Sequence, residues 1–303
     1  MKPEFKIALF YQYIKIDNPD QLVESQRSLC QSLNLKGRMI IAFEGINATL
    51  EGSPESIKKY CDELVKDPRF AGVHFKISDG TGNAFPKLSV KHRREIVAMD
   101  LGQDDIDPTK LTGKYLTAEE LHLWFEEKKE FYIVDMRNDF EQVSGYFENS
   151  ILPGLTQFRD LPKVLPKLAH LKNKTVVTVC TGGVRCEKAS GFLVKNGFKE
   201  VYQLYGGIVT YMEKYPNQNF LGSLYVFDGR LVMGFNRDDP KRVIVGTCAA
   251  CGKLSENYIN CKDDYCHRHF ICCESCLGED GKRLCPMGCR TEELTSGKSL
   301  QEL

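Results

Sequence analysis

The spacing of apolar residues over the first hundred positions predicts alternating strands and helices. Runs rich in apolar, β-branched and aromatic residues predict strands over 5–14, 38–43, 47–51 and 72–77. Apolar positions at helical spacing predict helices over 19–33 and 53–67. Ser53 followed by Pro54 is a helix start signal, because serine caps free N–H groups and proline fits the first turn. This order of elements predicts that residues 1–100 form a ferredoxin-like or acylphosphatase-like α+β domain, closed by a strand over 89–99.

The pattern changes after residue 100. Residues 101–114 are acidic and rich in turn formers, which predicts a linker. Residues 115–221 alternate strand and helix patterns, and the β-branched run at 174–180 is typical of a central parallel strand buried on both faces. This part is therefore predicted to be a parallel α/β domain, with helices flanking the sheet. Residues 222–303 begin with a hairpin pattern that turns at Asp228-Gly229, and they continue as a cysteine-rich module with a polar tail.

Composition narrows the functional classes. The chain has 303 residues, of which 42% are hydrophobic, and 41 Lys+Arg balance 41 Asp+Glu. No apolar run approaches the ~18 residues that cross a bilayer, and the first residues do not form a secretory leader. We therefore expect a cytoplasmic protein without a membrane partner. A net charge of zero argues against coating nucleic acid by bulk charge, but it leaves room for a local basic patch.

The most specific chemical signal is Cys180 and the loop that follows it. A buried strand delivers Cys180 to its carboxyl end, where open α/β sheets bind their ligands. Two glycines let the chain curl before a helix begins, and the helix N-terminus and inward N–H groups favour a thiolate over a thiol. Because the thiolate is the nucleophile, Cys180 is the predicted catalytic residue. The predicted active-site loop consists of Thr181, Gly182, Gly183, Val184, Arg185 and Cys186.

Other residues near this loop have two interpretations each. Cys186 is either a resolving thiol for Cys180 or a small residue at the start of the helix. Asp135, Arg137 and Glu141 are predicted to pair and fix a loop, with substrate contact as the alternative.

Nine of the 13 cysteines lie between positions 248 and 289. In a reducing compartment such a cluster indicates metal binding, and spacings such as Cys248-x2-Cys251 can place two thiolates on one ion. The sequence predicts one or two structural zinc ions, with pairing either sequential or crossed; iron–sulfur ligation and nucleic-acid docking stay as alternatives. The predicted ligands are Cys248, Cys251, Cys261, Cys266, Cys272, Cys273, Cys276, Cys285 and Cys289.

One dense basic segment lies at 85–94. On a strand, Lys87, Lys91 and Arg93 would share a face, because side chains alternate. Such a stripe can follow a phosphate backbone, and an ordinary solvated surface is the alternative. The candidate nucleic-acid contacts are Lys87, Lys91, Arg93 and Arg94.

The middle of the chain resembles the rhodanese domains. Cys180, Gly183 and Arg185 match their C-x-x-G-x-R active loop, and the stretch from Asp135-Met-Arg137 to Gly145 resembles a second rhodanese signature. Tyr146 and Phe147 stand there in place of the usual His and Ile. The resemblance implies that Cys180 carries a persulfide or a comparable covalent adduct during turnover. Related phosphatases have five residues between cysteine and arginine, whereas this chain has four, which disfavours phosphoryl chemistry.

The order of the three parts narrows the resemblance further. A ferredoxin-like module with G-I-N-A-T-L-E-G, a rhodanese domain with C-T-G-G-V-R-C-E-K, and a cysteine-rich end together resemble the bacterial rhodanese-domain tRNA uridine hydroxylases. This resemblance implies 5-hydroxylation of the wobble uridine of tRNA, with molecular oxygen as co-substrate and Cys180 as the essential residue. It also implies that the basic segment binds tRNA.

The residues alone favour sulfur chemistry. The sequence has no flavin or nicotinamide fingerprint, and a persulfide-forming Cys180 by itself predicts sulfur transfer. Three functions therefore stay open: a tRNA wobble-uridine hydroxylase, a sulfurtransferase acting on a thiol or tRNA acceptor, and a non-enzymatic redox sensor with a Cys180–Cys186 disulfide.

Overall fold

The N-terminal domain is a five-stranded sheet with two helices on one face. The computed structural model describes residues 5–266 and 268–286. In this domain it contains strands β1 (Phe5–Tyr13), β2 (Lys36–Ala42), β3 (Gly45–Gly52), β4 (Lys76–Gly80) and β5 (Leu88–His92), and helices α1 (Pro19–Ser32) and α2 (Pro54–Leu64). The strand order is β4-β1-β3-β2-β5, with β5 parallel to β2 and the other neighbours antiparallel. This arrangement confirms the predicted ferredoxin-like α+β fold.

The two faces of this sheet have different environments. Ala8 and Phe10 of β1 lie in the core beneath the helices, whereas Leu9 and Tyr11 point to the opposite face, because side chains alternate along a strand. Ser53 caps α2 as predicted, since its hydroxyl accepts the N–H of Ser56 at 3.1 Å.

Two strand boundaries differ from prediction. The strand predicted over 72–77 begins only at Lys76, because the chain first forms a 3-10 turn over Pro68–Phe70. The strand predicted over 89–99 ends at His92. Beyond it, the carboxylates of Glu44 and Glu95 bind backbone N–H groups of the following residues, which removes those groups from the sheet ladder.

The second domain contains a parallel sheet with helices on both faces. Its elements are β6 (Lys114–Leu116), α3 (Ala118–Glu126), β7 (Tyr132–Asp135), α4 (Asp139–Gln142), β8 (Gly145–Phe147), α5 (Leu161–Leu168), β9 (Thr175–Val179), α6 (Val184–Lys195), β10 (Glu200–Leu204), α7 (Gly207–Lys214) and β11 (Phe220–Gly222). The order is β6-β10-β9-β7, all parallel, and β8 pairs separately with β11. In β9, Val176 packs into one core cluster while Val177 and Val179 pack into another. The strand is therefore buried on both faces, as predicted for this α/β domain.

The C-terminal part begins with the predicted hairpin, formed by β12 (Leu224–Tyr225) and β13 (Val232–Met233). A second antiparallel pair, β14 (Tyr258–Asn260) and β15 (His269–Ile271), lies within the cysteine-rich module. The module packs on the rest of the protein through Tyr258, whose hydroxyl donates to the carbonyl of Phe140 at 2.8 Å. Among the described residues, no helix has the length and apolar character that a membrane crossing requires.

The predicted linker at 101–114 is docked along α6. Ile106 is buried, Gly113 donates its N–H to the hydroxyl of Ser190 at 2.7 Å, and Thr112 donates to the carbonyl of Glu187 at 2.9 Å. The connecting segment therefore holds a fixed position against the helix that follows Cys180.

Candidate active site and metal centres

Cys180 lies directly after β9, at the carboxyl end of the parallel sheet. The loop from Cys180 to α6 turns through Gly183, whose φ of 100° lies in the left-handed region that glycine adopts without strain. This turn aims the Gly183 N–H at the sulfur of Cys180, with an N–Sγ distance of 3.2 Å. The loop therefore supplies the backbone donor that the sequence predicts.

Arg185 is held in place by a buried carboxylate. Its guanidinium forms a bidentate pair with Glu141, in which the Nη2–Oε2 distance is 2.8 Å, and Glu141 is fully buried. A similar buried pair joins Arg137 to Asp135 at 2.6 Å, and Arg137 also donates to the carbonyl of Gly145. These pairs support the structural interpretation of Asp135, Arg137 and Glu141, and they fix the direction from which Arg185 approaches the loop.

The surroundings of Cys180 favour its thiolate. Burial by itself raises the pKa of the Cys180 thiol, but the hydrogen bond from Cys186, the charge of Arg185 and the backbone N–H groups of these two residues outweigh it and lower the pKa to about 6. Burial and the neighbouring Cys180 sulfur hold the pKa of Cys186 well above its usual value. At neutral pH, Cys186 is therefore the thiol that donates, and Cys180 is the thiolate that accepts.

The N-terminal sheet covers this loop. Its face opposite the helices carries Leu9 and Tyr11 against Gly182 and Gly183, so closely that a Cβ on Gly182 would lie 2.9 Å from Leu9 and one on Gly183 would lie 2.8 Å from the Tyr11 hydroxyl. A side chain at either glycine would require Leu9 or Tyr11 to move from its present position. The glycines therefore serve both the loop turn and the domain contact.

Glu187 and Lys188, which follow the loop on α6, fasten the covering domain. The hydroxyl of Tyr11 donates to Glu187 at 2.9 Å, and Tyr115 donates to the same carboxylate. The fully buried ammonium of Lys188 pairs with three carboxylates, which lie at 2.8–2.9 Å and belong to Glu44, Glu95 and Asp105. The two residues after the reactive loop thus bind the N-terminal domain and the connecting segment to the rhodanese-like part.

A cavity of about 380 Å³ lies between the sheet face, the loop and the hairpin. This volume is in the range of pockets that hold small ligands or a single nucleobase. Its wall is mainly apolar, with Phe85, Phe227 and Phe235 among its rings, and Cys180 and Lys76 are at its surface. The hairpin turn closes one side, since Gly229 donates its N–H to the carbonyl of Ala84 at 2.8 Å.

The cysteine-rich module contains two groups of thiols that could each hold a metal ion. Cys248, Cys251, Cys273 and Cys276 form the first group, and Cys261, Cys266 and Cys285 form the second. Within each group the sulfur atoms lie within 4.8 Å of one another, a spacing that suits tetrahedral thiolate coordination. The groups interleave along the chain, so the pairing is crossed.

Two predicted ligands stand apart from these groups. Cys272 is buried, belongs to neither group in the described part of the chain, and directs its sulfur toward the carbonyl of Cys273. Cys289 lies outside the described residues.

The basic segment lies at the exposed edge of the N-terminal sheet. Lys87, Lys91, Arg93 and Arg94 are all exposed. β5 covers Leu88–His92 and includes Lys91 alone, but its backbone pairing with β2 continues at both ends, through the carbonyl of Lys87 and the N–H of Arg93. The expectation that three of these residues share one face stays a prediction. Lys87 and Arg93 flank the strand.

Sequence reasoning missed the contribution of the N-terminal sheet to the site. Leu9, Tyr11 and Lys76 lie far from Cys180 in the chain, and no local pattern links them to it. The sequence did contain one signal of this contribution. Glu187 and Lys188 are two charged residues one turn into a buried helix, and buried charges need partners, which here must come from another part of the chain.

A nucleophilic cysteine at the end of a parallel strand, followed by a curled loop and a helix, defines a rhodanese-type protein. Family models agree with this class: the "Rhodanese-like domain" matches residues 117–214, the "UPF0176 acylphosphatase like domain" matches residues 5–96, and the "Rhodanase C-terminal" matches residues 221–290.

Whole-chain relatives narrow the class. A "tRNA uridine(34) hydroxylase" from Cytophaga hutchinsonii is 40% identical over 287 residues, which is 95% of this chain and 90% of that protein. A protein of the same name from Bacillus licheniformis is 43% identical over 277 residues, which is 90% of this chain and 85% of that protein. Among solved structures, a rhodanese-like domain protein from Staphylococcus aureus is 33% identical, with a TM-score of 0.29 over 32% of this chain and 90% of that one. The chain belongs to the tRNA uridine(34) hydroxylase family.

Proposed function

We propose that this protein hydroxylates the wobble uridine of tRNA at carbon 5, in the cytoplasm, with molecular oxygen as co-substrate. The observation that carries the proposal is the cavity that places Cys180, with its lowered pKa, opposite a second domain. The buried Cys180 lies at the wall of a mainly apolar cavity that includes the rings of Phe85, Phe227 and Phe235. Such a space suits a base turned out of its stack, and whole-chain relatives are named for that activity.

The residues around Cys180 have separate roles in the proposed reaction. Cys180 acts as the sulfur nucleophile, alone or as a persulfide. The Gly183 N–H and the Cys186 thiol hold its negative charge, and Arg185, fixed by Glu141, adds a positive field. The apolar walls exclude water and present ring faces to the base.

The overall reaction replaces the C5–H of uridine by C5–OH. One atom of dioxygen enters the base, and the other leaves as water with two electrons and two protons from a thiol reductant, which becomes a disulfide.

The test is nucleoside mass spectrometry of tRNA from cells that lack this protein and are complemented with the wild-type gene. Under an 18O2 atmosphere we expect 5-hydroxyuridine or its derivatives to reappear and to gain two mass units relative to growth under 16O2. The cells supply the reductant, so its identity need not be known. Oxygen from labelled water, or nucleosides that persist in the deletion strain, would contradict oxygen-dependent hydroxylation by this protein. Replacement of oxygen by sulfur in uridine would instead support sulfur transfer.

The exposed basic residues are proposed to bind the phosphates of the tRNA. Lys91 and Arg94 lie at the sheet edge with Lys87 and Arg93, and Arg38 extends the charge to the cavity. We expect Lys91→Glu/Arg94→Glu to weaken tRNA binding and to reduce the salt dependence of log K by about 0.9 per lost contact. Gel-shift titration at several salt concentrations measures both quantities. Lys58→Glu, on the opposite face of this domain, is the control, and an equal loss in both variants would rule out a specific surface.

The two thiol groups are proposed to hold structural zinc. Thiolates at tetrahedral spacing in a module without a large apolar core fit this metal, which would supply folding energy rather than chemistry. We expect Cys251→Ser and Cys266→Ser each to remove one equivalent of zinc, measured by elemental analysis of the purified protein. Because Tyr258 supports the chain next to Glu141, chelation should also lower activity. Full metal content in both variants would refute the assignment.

A further inference from the structure

Among the described residues, Lys76 is a buried cation that no carboxylate contacts directly. Its side chain is 7% exposed and lies on β4, opposite Leu9 of β1, on the sheet face that covers Cys180. Its Nζ lies 4.7 Å from the centre of the Tyr11 ring. Among the described residues, no carboxylate forms an ion pair with it and no acceptor receives a hydrogen bond from it.

The other cations around the same cavity differ in this respect. Arg185 pairs with Glu141, Arg230 pairs with Asp228, and Arg159 pairs with Asp100. Arg38 is exposed. Lys76 is therefore the buried cation whose N–H donors stay available to a cavity ligand.

Such an arrangement is unfavourable for folding alone. An ammonium removed from water without a partner destabilises the folded state, and a methionine of similar length would not carry this penalty. A position of this kind, facing a nucleophile across a cavity, is typical of a functional site. Cys180 and Glu187 act on the ammonium through their charge, without a direct hydrogen bond, so the acceptor for its N–H groups belongs to whatever occupies the cavity.

We propose that Lys76 is a catalytic residue, whose ammonium donates a hydrogen bond to the O4 carbonyl oxygen of the uracil base that Cys180 attacks. The inference rests on the proposed function. In this step the sulfur anion on Cys180 adds to C6 of the base and forms a C–S bond. The C5=C6 electron pair moves through C4 to O4, so that the negative charge develops next to Lys76, and C5 becomes the electron-rich carbon. After C5 has taken up one oxygen atom of dioxygen, with the thiol reductant converting the other to water, a proton leaves C5; the C5–H electron pair re-forms the C5=C6 double bond as the sulfur anion leaves C6.

The charged groups around Lys76 come from several elements. They are Tyr11 on β1, His74 just before β4, Cys180 on the loop and Glu187 on α6. Burial lowers the pKa of Lys76 to about 8, although Cys180 and Glu187 oppose this shift. Activity should therefore decline as the pH rises through about 8, because the amine loses its proton.

The experiment compares Lys76→Met, Lys76→Arg and the control Lys58→Met, which alters an exposed lysine on α2. With tRNA as substrate we expect kcat of Lys76→Met to fall by on the order of 10²–10³-fold, while its Tm is unchanged or higher. Lys76→Arg should keep part of the activity and lose the alkaline decline. Lys58→Met should behave like the wild type. A Lys76→Met protein with wild-type kcat would overturn the proposal.

A second readout does not need turnover. Trypsin releases residues 175–185, which contain Cys180 but not Cys186, so alkylation of Cys180 by iodoacetamide can be followed by mass spectrometry. The wild-type alkylation rate should rise with a midpoint near pH 6, and Lys76→Met should move the midpoint upward. An unchanged midpoint would show that Lys76 does not face the sulfur and would overturn the proposal. If the wild type and Lys76→Met show the expected alkylation midpoints and yet the wild type does not hydroxylate tRNA, the proposed function fails while the electrostatic effect of Lys76 on Cys180 stands.

Discussion

Cys180→Ser should abolish hydroxylation of tRNA, with a loss of at least on the order of 10³-fold in kcat. The hydroxyl of serine stays protonated at neutral pH, so the Gly183 N–H, the Cys186 thiol and Arg185 have no anion to hold. Serine also cannot carry a persulfide. The measurement is 5-hydroxyuridine per tRNA, by mass spectrometry, after complementation of a deletion strain and with purified protein.

The matched control for this prediction is Cys61→Ser. Cys61 is half-buried on α2, on the far side of the N-terminal sheet from the cavity, so this exchange tests the chemical change without touching the site. We expect full activity from it and the same melting temperature for both variants within a few degrees. A Cys180→Ser protein that restores the modified nucleosides would exclude cysteine chemistry and would favour a non-catalytic role for this chain.

Lys188→Met should destabilise the protein by about 3 kcal/mol, because it removes a buried cation from three carboxylates, of which Glu95 is buried and the other two are partly exposed. The effect should appear in urea unfolding as a lower midpoint. Activity should fall as well, since Glu44 and Asp105 would no longer hold the N-terminal domain and the connecting segment to α6. The cavity over Cys180 depends on that contact.

The pH dependence of the stability lost in Lys188→Met distinguishes repulsion among the remaining carboxylates from a simple loss of packing. In the wild type, Lys188 lowers the pKa of Glu95 and opposes the effect of burial, which raises the pKa of Glu44. Without the lysine the pKa of Glu44 rises further above that of the unfolded chain, and the pKa of Glu95 loses its largest lowering contact, so the native state binds more protons than the wild type does and recovers stability relative to it as the pH falls. The difference from the wild type should therefore shrink below about pH 5.

Lys195→Met is the control for Lys188→Met. It lies on the same helix, but its partner Asp104 is exposed, so we expect a change of at most about 1 kcal/mol. Equal destabilisation in the two variants would contradict a special role for the buried group.

Local patterns were enough to predict the fold class and the reactive loop. The β-branched run of β9, the Gly182-Gly183 turn and the helix after it are all determined by neighbours in sequence, so Cys180 could be identified from the chain alone. The crossed grouping of the thiols could not be predicted from the sequence, because the spacing of the cysteines allows both a sequential and a crossed pairing. The prediction that the strand continues past His92 was wrong for a related reason. The carboxylate of the distant Glu44 binds the backbone N–H of Ile96, and sequence patterns do not show such a contact.

The larger gap between sequence and structure concerns the covering sheet. Alternation along β1 predicts that Leu9 and Tyr11 lie on one face, but it does not say what that face meets. The contact depends on glycines and charges about 170 residues away, such as Gly183 and Glu187, whose partners become visible only in three dimensions. Lys76 belongs to the same class of residues, since an unpaired buried lysine and an exposed one have the same local pattern.

The walls of the cavity come from residues as far apart as Leu9 and Phe235. During synthesis the N-terminal domain emerges first and Cys180 follows, yet the hairpin that closes the chamber is made still later. A chain that ends before the hairpin would lack Phe227, Asp228, Arg230, Met233 and Phe235 of the cavity wall. Deleting the chain from residue 224 onward should therefore leave Cys180 and its loop in place while opening the cavity on the side that Phe227 and Phe235 now occupy.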